Sequence, residues 1–90
     1  MEGEKVIVVD VNHSDGVPYP TYTCFRGDAN ENQSSIKKIL DYHNRNINLE
    51  VARRKIKEGY RLRYCESDIP QLLKLGMLEE ELKRGEMIPI

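Results

Sequence analysis

His13, Cys24, His43 and Cys65 are the side chains best suited to nucleophilic, acid–base or metal chemistry, and none sits in a pattern that such chemistry requires. A nucleophile needs a base beside it and a third group to orient that base. His13 falls in a turn-forming stretch and His43 on the apolar stripe of a helix, which are the positions of a polar turn residue and a packed helix residue. His13 and Asp15 have no third ligand at metal-binding spacing, and Cys24 and Cys65 form neither a Cys-x-x-Cys pair nor a Cys/His cluster. Glu79, Glu80 and Glu81 are consecutive in a helical stretch, where most of such a run faces solvent. The glycines are scattered as turn and cap residues, so no phosphate loop is formed. The expectation is a non-enzymatic chain with no catalytic residues, no metal and no cofactor.

The cations point to a different chemistry. The net charge of −1 conceals a segregated distribution. Residues 51–65 hold Arg53, Arg54, Lys55, Lys57, Arg61 and Arg63 against Glu58 alone, while residues 32–50 carry only one net positive charge and residues 1–31 and 66–90 are acidic. Tyr60 and Tyr64 are interleaved with this block. Clustered cations with aromatic neighbours make a phosphate-binding face, so Arg53, Arg54, Lys57, Arg61 and Arg63 are expected to hold phosphates. A competing role is internal: Glu50 precedes Arg54 by four, a favourable helical ion pair. A second contribution comes from Ser34 and Ser35, polar donors at the positive end of a helix dipole.

The elements that must position these residues follow from periodicity. Lys5 to Asn12 is rich in β-branched residues and ends in Asn12-His13-Ser14-Asp15-Gly16, which is turn chemistry. Tyr19 to Phe25 alternates, so the two runs predict a hairpin, and Pro18 and Pro20 push the second strand toward a sheet edge. Ile36, Ile39, Leu40 and His43 form a helical stripe opened by Asn30 with Gln33, or by Ser34. Asn46 or Asn48 caps a second helix carrying Leu49, Ala52 and Ile56, and Gly59 ends it. Tyr60 to Cys65 alternates strictly, with Tyr60, Leu62 and Tyr64 facing in and Arg61, Arg63 and Cys65 forming a basic outer face. A short helix through Ile69 to Leu73 and a further turn or two from Leu78 to Arg84 complete the chain, with Met87 to Ile90 apolar enough to dock. The reading is a single α+β domain over residues 1–90: a small three-stranded antiparallel sheet in ββααβα order, with helices largely on one face.

The stretch from Asn32-Gln33-Ser34-Ser35-Ile36-Lys37-Lys38-Ile39-Leu40 through a basic segment to Gly59-Tyr60-Arg61-Leu62-Arg63-Tyr64 resembles the modular DNA-binding repeats attached to homing endonucleases. In that family a Ser-Ser-Ile helix, a basic turn and a Gly-Tyr-x-Trp-x-Tyr strand form a unit that binds DNA. The resemblance implies that Ser34, Ser35, Lys37 and Lys38 face DNA. Here Leu62 stands at the aromatic position, and Asp41 to Glu58 is longer than the family's turn.

Composition sets the class. With 39% hydrophobic and 32% charged residues the chain folds and stays soluble. Its longest apolar run, Val6 to Val9, is far too short to cross a bilayer, and the acidic first residues lack a signal-peptide pattern. A cytoplasmic location is therefore expected. There Asn12-His13-Ser14 and Asn32-Gln33-Ser34 are not glycosylation sites, Arg26-Gly27-Asp28 is an ordinary turn, and the cysteines are reduced, although two thiols on predicted strands leave a disulfide open. The expected function is a DNA-binding or DNA-associated accessory protein. The alternative is a protein-interaction or inhibitor module using the acidic helix around Glu79 to Glu81 or the edge strand. A homodimer fits either.

Overall fold

Val6, Ile7, Val8 and Val9 are all between 0% and 1% exposed. A run of apolar residues buried on both sides of a strand marks the centre of a sheet covered on both faces. A computed structural model describes residues 3–28, 31–42 and 45–89 and places this run in β1 (Glu4–Ser14). β1 pairs antiparallel with β2 (Val17–Gly27) in one register, from Glu4 opposite Gly27 to Ser14 opposite Val17. Asp15 at φ 52° and Gly16 at φ 80° make the two-residue left-handed turn whose twist suits a tight hairpin.

The rest of the sheet departs from the expected antiparallel triplet. It has four strands in the order β2-β1-β3-β4 and is mixed. β3 (Arg61–Tyr64) runs parallel to β1 across Val6 to Val8, and β4 (Glu86–Met87) runs parallel to β3. Parallel neighbours need long crossovers, and helices supply them. α1 (Gln33–Tyr42) and α2 (Leu49–Lys57) connect β2 to β3; a 3₁₀ turn (Glu66–Asp68), α3 (Ile69–Lys74) and α4 (Glu79–Arg84) connect β3 to β4. The helical turns expected from Leu78 to Arg84 form α4, and the predicted ββααβα order gains a fourth strand.

Alternate residues of β1 serve opposite layers. Ile7 and Val9 join Tyr22, Leu62, Tyr64 and the inward side chains Ala52, Leu72, Met77 and Leu82, so α2, α3 and α4 share one face. Val6 and Val8 join Phe25, Ile36, Leu40 and Ile88, so α1 and the C-terminal segment cover the other. Three helices therefore lie on one face, as expected, while α1 closes the second. Cys24 packs with the first layer and Cys65 with the second; both are free thiols separated by the sheet.

Local signals account for the boundaries. Asn32 accepts the Ser35 amide at 2.9 Å and starts α1 in place of Ser34; Asn30 and His43 lie outside the described residues. Asn48, not Asn46, caps α2 by accepting the amides of Glu50 and Val51. Asn46 instead exchanges backbone hydrogen bonds with Tyr22 at 2.7 and 2.9 Å, covering the middle of the outer edge of β2. Ile88 is buried and its amide donates to the Tyr64 carbonyl, so the C-terminal segment docks. Among the described residues no helix is long and apolar enough to cross a membrane.

Candidate polyanion-binding groove

The five arginines and lysines expected to hold phosphates divide into three groups. Arg63 is 2% exposed. Strict alternation put it on a solvent-facing basic surface, but that surface is the face covered by α1 and the C-terminal segment. Its Nη2 donates to the Met87 carbonyl at 3.0 Å, Nη1 lies 3.7 Å from Glu86 Oε2, and neither Nε nor Nη1 has a hydrogen-bond partner.

Arg53 and Arg61 are accessible but committed. Arg53 donates from Nε to Glu81 at 2.7 Å, from Nη1 to Glu50 at 2.9 Å and from Nη2 to the Gly76 carbonyl at 2.8 Å, tying α2 to α4 and to the turn before it. Glu50 thus pairs with Arg53, three residues on, and not with Arg54. The hydrogen bond to Glu81 raises the Arg53 pKa and holds the Glu81 carboxyl below its ordinary value. Glu81 also accepts the Leu78 amide at 2.8 Å at the start of α4. Arg61 donates to Glu86 at 2.6 Å and to Glu4 at 3.0 Å, which raises its pKa in the same way.

Arg54 and Lys57 remain exposed on α2, and neither makes an ion pair with a described residue. The structure brings them beside Arg84, at the end of α4, around a groove of about 310 Å³ between the two helices. Its floor is Ile56, Leu62 and Tyr60. Five cations line it, Arg53, Arg54, Lys57, Arg61 and Arg84, against the two carboxylates of Glu50 and Glu81. Lys5 and Lys55 each place an ammonium 5.6 Å from the Tyr60 ring centroid, adding positive potential at one end. Excess positive charge over an apolar floor concentrates field where water is partly excluded, the setting in which an anion is held best.

Sequence reading missed Arg84, which belongs to a different basic group from residues 51–65. Its signal was the Lys83-Arg84 pair in the last turn of α4, a position favoured by the helix dipole and therefore easily read as structural.

The polar start of α1 lies on the opposite face. Ser34 and Lys37 border a separate cleft of about 370 Å³ that also holds Asp10, Asp68 and Cys65. Asp10 accepts the Thr21 hydroxyl and lies 3.5 Å from Arg45, which also donates to Asn12. Burial, and then Asp10, pushes the Asp68 carboxyl up; His13 offsets part of this. Two carboxylates make this cleft a poor place for phosphate. Ser35 is half-buried, and Lys38 is exposed. The sheet therefore separates Ser34, Ser35, Lys37 and Lys38 from Arg54 and Lys57. Among the described residues, no group of three or more His, Cys, Asp or Glu side chains is placed to hold a metal ion.

No protein-family profile, curated protein or solved structure matches the chain.

Proposed function

We propose that the chain is a non-enzymatic binding module that holds a polyanionic partner in the groove between α2, β3 and α4. The observation that carries this reading is the meeting of Arg54, Lys57 and Arg84, none of them ion-paired with a described residue, over the apolar floor of Ile56 and Leu62. A cation without a carboxylate partner keeps its charge available to a ligand, whereas Arg53 and Arg61 serve mainly to fix the walls.

A DNA-associated accessory role is one form of this function, with Arg54, Lys57 and Arg84 meeting phosphates. Three such contacts give a logarithmic salt slope of about −2 to −3 on a duplex, well below that of a protein neutralising many phosphates. An acidic protein is the other form. The test is equilibrium binding of labelled poly-L-glutamate and of a short DNA duplex to the wild type, to Arg54→Glu/Arg84→Glu and to Lys37→Glu/Lys38→Glu. The groove variant should lose binding to whichever polyanion the wild type holds, and the α1 variant should keep it. Loss in the α1 variant alone, or no polyanion binding at low salt, overturns the proposal.

A further inference from the structure

We infer that the occupant of the groove is an acidic polypeptide segment carrying one large apolar side chain, rather than a nucleic acid. This inference rests on the reading of the groove as an anion site and specifies its partner.

The floor decides between them. Nucleic-acid grooves without sequence preference combine a cationic track with aromatic faces on which bases stack. Here the floor is aliphatic at Ile56 and Leu62, and the one aromatic ring, Tyr60, already has the ammoniums of Lys5 and Lys55 over it. A base entering to stack would displace cations that phosphates need nearby. An aliphatic or phenyl side chain loses nothing by entering: it has no polar edge to satisfy, and the floor is mostly carbon.

The size agrees. About 310 Å³ is at the lower limit of ligand pockets, enough for an anchoring side chain and the backbone beside it. Arg54 and Lys57 stand on one wall and Arg84 on the other, so carboxylates flanking the anchor along an extended or helical segment meet cations on both sides. An apolar anchor within a charged rim is the usual arrangement of a peptide-recognition groove.

The experiment uses fluorescein-labelled synthetic peptides and the full chain. One peptide is a run of glutamates with a central phenylalanine, a second replaces the phenylalanine with serine, and oligo(dT) of similar charge is the third probe. Burying the phenyl group should tighten binding about 10-fold or more over the serine peptide. Ile56→Ser, which removes floor without touching charge, should remove most of that difference and leave the serine peptide nearly unaffected. Arg54→Glu/Arg84→Glu should abolish binding of both peptides. Far-UV circular dichroism and thermal melting confirm that each variant is folded.

Equal affinity for the two peptides, with both lost in the charge variant, overturns the apolar-anchor inference and leaves the anion groove standing. Tighter binding of oligo(dT) than of the phenylalanine peptide also overturns it, in favour of single-stranded nucleic acid. Absence of binding by any probe overturns both the inference and the function it rests on.

Discussion

Arg63 carries its charge into the buried face of the sheet against Met87 and Glu86, and two of its three nitrogens have no hydrogen-bond partner among the described residues. A buried charge with incomplete bonding costs more than an apolar side chain of similar length. Arg63→Met should therefore raise the thermal midpoint, by the equivalent of about 1–3 kcal/mol, with Glu86 still paired to Arg61; a drop would mean that the Met87 contact outweighs the desolvation. The Arg53–Glu81 pair behaves in the opposite way. The Arg53 hydrogen bond holds the Glu81 carboxyl below its ordinary 4.5 despite partial burial, so the folded state binds fewer protons than the unfolded. The pair's stabilisation is complete above about 4.5 and is lost as pH falls through the lowered folded value. Glu81→Gln should destabilise at neutral pH and flatten the acid limb of the melting profile. Asp68 has the reverse sign: its raised carboxyl opposes folding when ionised, a cost absent below 3.8 that grows as pH rises through the raised value. Asp68→Asn should thus stabilise at neutral pH and not in acid, a difference measured by thermal melts across pH. The basic block itself was legible in the sequence, but the commitment of Arg53 and Arg61 was not, because their partners Glu81, Glu86 and Glu4 are distant in the chain and no local spacing links them.

At the scale of elements, caps and close approaches set the groove walls. Asn48 satisfies two amides at the start of α2, and Asn48→Ala should cost about 1 kcal/mol in chemical denaturation. At the end of α4, a Cβ on Gly85 would lie 2.8 Å from Leu62 Cγ and 3.1 Å from its carbonyl oxygen. Gly85→Ala must push α4 away from the groove floor, with an overpacking loss of about 1–3 kcal/mol by the same denaturation assay; an unchanged midpoint would show that the wall is soft. The hairpin, the helix stripes, an asparagine cap on α2 narrowed to Asn46 or Asn48, and the prolines on an edge strand were all legible, since each depends on neighbours within a few residues. β4 was not: two residues, Glu86 and Met87, carry no alternation. The parallel pairing was not either, although Val6 to Val9 held a sign of it. Four consecutive apolar residues fit a strand covered on both faces better than one with helices on a single side, and α1 supplies the second cover.

For the whole molecule, a nearly neutral chain keeps its charge polarised by ion-pairing some cations across the fold while others make no ion pair among the described residues. Arg53 and Arg61 join helices and strands, Arg63 is enclosed, and Arg54, Lys57 and Arg84 remain around one apolar floor. The candidate site was half legible: Arg54 and Lys57 came from the charge pattern, while Arg84 and the floor depended on α4 folding back over β3. The most direct test is a backbone amide NMR titration of the ¹⁵N-labelled chain with poly-L-glutamate at low salt. The account predicts shifts concentrated in α2, around Tyr60 to Leu62 and at the end of α4, reversed by added salt and absent in Arg54→Glu/Arg84→Glu. Shifts centred on Lys37 and Lys38, or none at all, would contradict it.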